Sequence, residues 1–175
     1  MPGDHSIWLE EEFVRRRNWI DFGRALGGSF AVVTALPAVV DAIIAVPTIS
    51  NGNVVLLSKA VILMAAVIIQ MMRIEERLTL FPPLFFVMGL SFALVGWKAG
   101  VFGFAAIWAL NLVLPNPGVF LASYGAGMVI LSIFIGANPK SALLVAGLAF
   151  MPPAVAVLFR RRLAQFRKRT KIAVR

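Results

Sequence analysis

The sequence predicts an all-α fold, a polytopic membrane bundle of six transmembrane helices with both termini on the cytoplasmic side. Three observations predict it. From Gly27 to Phe159 the chain is almost continuous hydrocarbon, interrupted at intervals by proline, glycine and asparagine. Of its 175 residues 60% are hydrophobic and 14% charged, where a soluble domain is closer to about half and a quarter. The charge that is present gathers in the two tails and one short loop.

Residues 1–25 read as a cytoplasmic tail. It carries Glu10, Glu11 and Glu12 and then the run Arg15-Arg16-Arg17. Trp8 and Trp19 flank that run among Leu9, Phe13, Ile20 and Phe22, a composition that suits an amphipathic helix on the membrane surface. Glu12 and Arg16 interrupt its apolar face. No short apolar core with a small-residue cleavage site precedes the first span, so that span is expected to act as an uncleaved insertion signal.

Six apolar blocks fill residues 26–159. The first, Leu26 to Val46, stops at Pro47, and the linker that follows centres on Asn51-Gly52, a strong turn signal. The second, Val54 to Met72, ends at the charged cluster Arg73-Ile74-Glu75-Glu76-Arg77. The third, Leu78 to Val95, carries Pro82-Pro83 in what is expected to be its first turn, where backbone donors lack partners anyway. The fourth, Val101 to Leu114, is shorter than the roughly 20 residues a crossing needs, so a full, tilted or re-entrant segment all fit. The fifth, Val119 to Ile135, lies between Pro115-Asn116-Pro117-Gly118 and Gly136-Ala137-Asn138-Pro139. The sixth, Ser141 to Phe159, contains Pro152-Pro153 and leads into the basic tail 160–175.

Charge sets the orientation. Arg15, Arg16, Arg17 and Arg24 precede the first block, Arg73 and Arg77 follow the second, and the basic tail follows the sixth, while the other loops hold only Lys98 and Lys140. The positive-inside rule then puts both ends in the cytoplasm and requires an even number of spans. A weak echo joins Asn116-Pro117, Leu121 and Gly125 to Asn138-Pro139, Leu143 and Gly147. Common helix-start chemistry explains it as well as a duplicated unit does.

Asp41 and Lys59 are ionisable groups inside two adjacent apolar blocks, and such residues are functional candidates by default. They lie about equally far from the Ser50-Asn51 turn, so an antiparallel hairpin is expected to set them at matching depth. Thr34, Pro37 and Asp41 share one helical face, and Lys59, Ala66 and Gln70 share another. The expected polar seam pairs Asp41 with Lys59 near the outer end, with Thr34 and Gln70 deeper. Three roles fit it: locking the hairpin, docking a helix of another subunit, or lining an ion or solute path. Lys59 would stabilise the Asp41 charge, which counts against a proton relay.

Gly96, Gly100 and Gly103 form a G-x-x-x-G pattern with an extension, suited to close packing within the bundle or to self-association. Asn111, Ser123 and Tyr124 add hydrogen-bonding groups without forming a recognisable site. Trp97 and Trp108 are expected in the outer half of the bilayer. In the tail, Arg160, Arg161, Arg162, Arg167, Lys168 and Arg169 supply much of the formal net charge of +9. Anionic lipid is the expected partner there, at about 1 kcal/mol per basic residue, with an acidic protein second. Nucleic acid is not expected, because no reader module is present.

The chain has no cysteine and a single histidine, His5. Disulfides, thiolate chemistry and histidine-based metal or triad sites within the membrane are therefore excluded. No paired carboxylates, activated nucleophile or phosphate-binding loop can be read, so no enzyme and no cofactor is expected. Glu75 and Glu76 alternate with Arg73 and Arg77 and read as their solvated partners. The expected function is a non-catalytic subunit of a larger bacterial inner-membrane assembly, which the other membrane subunits would complete. The alternative is a small homo-oligomeric transporter or channel lined by the Asp41-Lys59 seam.

Overall fold

The computed structural model describes residues 6–7, 13–43, 51–72, 79–110, 114, 116–160, 162–163 and 165–166. Six helices carry the fold among them: α1 Arg16–Ile43, α2 Asn51–Met71, α3 Leu84–Val95, α4 Trp97–Leu110, α5 Pro117–Ile135 and α6 Pro139–Leu158. Each of the six apolar blocks therefore holds one helix. Four of the helices, α1, α2, α5 and α6, are long and apolar enough to cross a membrane. With 12 and 14 residues, α3 and α4 rise only about 18 and 21 Å, short of a 30 Å hydrocarbon core.

Helix boundaries differ from the sequence expectation in several places, among them α4, which begins at Trp97 where Val101 was expected. α1 runs unbroken from Arg16 across the 25/26 boundary, so its first turns are not a separate surface helix. Asn18, Asp21, Ala25 and Ser29 are buried at three- and four-residue spacing, which gives that stretch one continuous packing stripe. α2 begins at Asn51, so Asn51-Gly52 starts a helix where the sequence suggested a turn. α3 begins at Leu84, with Pro82 and Pro83 outside it. A proline pushes its predecessor out of the α region, so Pro82-Pro83 delays the helix instead of opening it.

The helices form three hairpins. Trp19 meets Phe85 at 5.4 Å and Phe22 meets Phe92 at 5.4 Å between ring centroids, so α1 and α3 run parallel. α4 folds back on α3 about Gly96, whose φ of 104° and ψ of 155° lie in a region only glycine adopts readily. α5 is antiparallel to α4, with Trp108 and Phe120 5.8 Å apart. Left-handed Gly136 ends α5, and the Ala137 N–H donates to the Ser132 carbonyl at 2.9 Å. α6 then returns along α5.

These directions collect both chain ends at one end of the bundle. Ser6–Ile7 pairs in parallel with Gln165–Phe166, and Thr79–Leu80 with Arg162–Leu163. There too the Phe81 N–H donates to the Met71 carbonyl at 3.4 Å. Trp108, the twelfth residue of α4, has returned to this end and contacts Phe13 at 4.9 Å. The expectation that Trp108 shares a depth with Trp97 is corrected by the turn at Gly96.

α3 is the central element, packed against α1, α4 and α6 and touching α2 and α5. Its Leu84, Phe85, Val87, Met88, Gly89, Leu90, Ser91 and Leu94 are all buried. A helix apolar on every side belongs inside a bundle, and with protein around it the short length of α3 is tolerable.

Candidate functional site

Most buried polar groups among the described residues lie on α1, α3 and α5. On α5, Ser132 donates to the Val129 carbonyl of its own helix at 2.6 Å. Between α3 and α5 the Ser91 and Tyr124 hydroxyls hydrogen-bond to one another, and both side chains are buried. Ser91 also donates to the Met88 carbonyl at 2.6 Å, so its hydroxyl keeps a partner of its own. On α1, buried Ser29 donates to the Leu26 carbonyl at 3.1 Å. Asp21 is buried beside Asn18, with the exposed Arg24 guanidinium 3.9 Å from its carboxylate. α1 and α3 come close because of Gly89. A Cβ placed there would stand 2.6 Å from the Phe22 carbonyl oxygen and 2.9 Å from the Ala25 Cβ.

Asn18, Asp21, Ser29 and Ser91 escaped the sequence reading. The signal was present as the three- and four-residue spacing from Asn18 to Ser29, but dividing the chain at residue 25 cut the stripe in two. Tyr124 was noted, but nothing local to it indicates Ser91, 33 positions away.

The expected seam is not assembled as a bonded network. Asp41 is exposed on α1 and Lys59 half-buried on α2, and no ion pair joins them among the described residues. Thr34 is exposed and turns its hydroxyl onto its own helix, donating to the Phe30 carbonyl at 2.8 Å. Gln70 is half-buried near the end of α2. A double-mutant cycle of Asp41→Asn and Lys59→Met is therefore expected to show coupling below about 0.5 kcal/mol. Detergent unfolding would measure it, and coupling well above 1 kcal/mol would restore the direct pair.

The other sequence candidates divide similarly. Gly96 makes the α3–α4 turn, the Phe92 ring covers Gly100, and the Met128 thioether covers Gly103. The packing partners of Gly100 and Gly103 are thus in the same chain. Arg160 is exposed just beyond α6, and the Arg162 backbone pairs with Thr79. Arg161, Arg167, Lys168 and Arg169 lie outside the described residues. The Asn-Pro echo is capping chemistry. Asn116 accepts from the Val119 N–H at 2.8 Å and Asn138 from the Lys140 N–H at 2.9 Å. Beyond the caps the likeness stops, since Gly125 packs against Ala146 and Ala149 while nothing approaches Gly147.

An aromatic nest closes the end of the bundle where the chain ends meet. Trp108 is ringed by Phe13, Phe85, Phe104 and Phe120 at centroid separations of 4.9, 5.6, 6.0 and 5.8 Å. Trp19 stacks edge-on to Phe13 at 5.4 Å and donates its indole N–H to the Phe13 carbonyl at 2.8 Å. The indole N–H of Trp108 is buried and has no hydrogen-bond partner among the described residues. A buried donor without an acceptor costs about 1–3 kcal/mol.

Family models, curated proteins and solved structures contain no match to this chain. What the polar groups do is therefore argued from their geometry. The Ser91–Tyr124 pair is satisfied between two helices, which is how polar side chains hold membrane helices together. Among the described residues no three His, Asp or Glu side chains come together as a metal-binding group.

Proposed function

We propose that this protein is a non-catalytic, multi-pass subunit of a larger assembly in a bacterial inner membrane. The apolar helices fit a membrane protein. The observation that carries the subunit reading is the division between a filled interior and an outward-facing hairpin. Phe120, Leu121, Tyr124, Met128 and Met88 are completely buried at the centre, and the interior hydroxyls of Ser91 and Tyr124 bond each other. That interior suits a scaffold better than a conduit. Asp41 and Lys59 instead sit on α1 and α2, whose spanning segments are only 11% and 17% buried within the chain. Phe30, Val39, Leu57, Val61 and Ile69 are exposed on the same two helices. An apolar surface bearing charged residues suits contact with another membrane helix better than contact with lipid alone.

Six passes with both ends in the cytoplasm are part of the proposal. The positive-inside pattern supports the side, and the meeting of both chain ends at one end of the bundle supports an even count. The basic tail would then lie against anionic headgroups. The presence of Asp41 and Lys59 within apolar helices is the observation that keeps a small transporter as the second reading.

Extraction of native membranes in mild detergent, followed by mass spectrometry of the intact particle, separates the two. A subunit leaves the membrane with other polypeptides in fixed ratio. Recovery of this chain alone, with solute flux in liposomes that Asp41→Asn abolishes, would replace the subunit reading with the transporter.

A further inference from the structure

We propose that the aromatic nest around Trp108 is a binding site for one anionic phospholipid, occupied in this structure by the Phe13 side chain. The observations are independent of the assembly role. Among the described residues, every ring contact that Trp108 makes is to a phenylalanine, and its indole N–H has no acceptor. A ligand with a carbonyl at the edge of an apolar body would satisfy that donor, and the ester group of a phospholipid has this form. Three of the surrounding rings belong to α3, α4 and α5, whereas Phe13 comes from the segment ahead of α1. Phe13 is 39% exposed and is separated from α1 by Arg15, which is not helical. It is the ring best placed to leave.

The charge beside the nest selects the headgroup. Arg16 and Arg17 are exposed in the first turn of α1, close in sequence to Phe13 and Trp19. Guanidinium groups bind phosphate through paired, charge-assisted hydrogen bonds. An anionic lipid thus meets arginine with its headgroup and the Trp108 N–H with an ester carbonyl, while an acyl chain takes the place of the Phe13 ring against Phe85. Under the proposed topology, on which this placement rests, the end where both chain ends meet lies at the membrane surface, at the level of headgroup and ester groups.

Delipidated full-length protein would be titrated with phosphatidylglycerol and with phosphatidylcholine and followed by native mass spectrometry. One phosphatidylglycerol is expected to bind in preference to phosphatidylcholine. Phe13→Ala should tighten that binding by removing the competitor. Trp108→Phe, which keeps a ring and deletes the donor, should weaken it roughly tenfold. Equal retention of the two lipids, or unchanged binding in Trp108→Phe, would overturn the proposal. If Trp108→Phe does not fold, brominated phosphatidylglycerol supplies the second test. It should quench tryptophan emission more strongly in Phe13→Ala than in the parent, and equal quenching counts against the site.

Discussion

Gly89→Ala is expected to destabilise the bundle by roughly 2–3 kcal/mol, and Gly89→Leu to prevent folding. The added Cβ would stand 2.6 Å from the Phe22 carbonyl oxygen and 2.9 Å from the Ala25 Cβ. Neither atom lies at the end of a flexible side chain, so relief requires α1 to move away from α3. That movement would uncover the stripe of Asn18, Asp21, Ala25 and Ser29 and pull Trp19 and Phe22 from their stacks on Phe85 and Phe92. In lipid, association of helices depends on such close packing, with no expulsion of water to compensate for its loss. Two controls give the result its meaning. At Gly103 the obstacle is the Met128 sulfur, at the flexible end of a side chain, so Gly103→Ala is expected to cost less than about 1 kcal/mol. At Gly127 nothing lies within 4 Å, and alanine there should be neutral or stabilising by up to about 1 kcal/mol. Unfolding midpoints in mixed micelles containing sodium dodecyl sulfate would rank the three. A Gly89→Ala midpoint equal to that of Gly127→Ala would show that the α1–α3 contact does not set stability.

The contrast among these glycines also shows what the sequence could convey. Apolar blocks bounded by proline, glycine and asparagine gave the six helices, because helix formation in a membrane is dictated locally by backbone hydrogen bonding. The caps at Asn116 and Asn138 were legible for the same reason. Glycine spacing was less informative. The G-x-x-x-G pattern at Gly96 and Gly100 stood out, while Gly89, where α3 closely approaches the α1 backbone, belongs to no such pattern. Its importance depends on the α1 residues that face it. One boundary was misread where two local signals competed. Asn51-Gly52 is a good turn and also an acceptable helix start, and both residues are helical in α2. Whether Asp41 meets Lys59 depends on the rotation and depth of two helices, which neither apolar block encodes by itself. The aromatic nest draws its rings from the N-terminal segment, α1, α3, α4 and α5, and no periodicity within one segment announces such a cluster.

Loss of the Ser91 hydroxyl is expected to cost more than loss of the Tyr124 hydroxyl, although the two form one hydrogen bond. In Tyr124→Phe, Ser91 retains its bond to the Met88 carbonyl at 2.6 Å. No polar group is stranded, and the expected loss is about 0.5–1 kcal/mol. In Ser91→Ala the phenol remains buried between α3 and α5 without its hydroxyl partner, and the expected loss is about 1–3 kcal/mol. Removing both hydroxyls should restore most of the difference, so the double variant is expected to be more stable than Ser91→Ala alone. That reversal distinguishes a buried hydrogen bond from a mere change in packing volume, which the second substitution would not repair. Tyr124→Ala stands apart, because it empties a fully enclosed site beside Phe120 and Met128 and should cost about 3–5 kcal/mol. The same micelle unfolding measurement applies throughout. If Ser91→Ala and the double variant unfold together, the Tyr124 hydroxyl has found another acceptor. The Ser91–Tyr124 contact would then not be what ties α5 to the central helix.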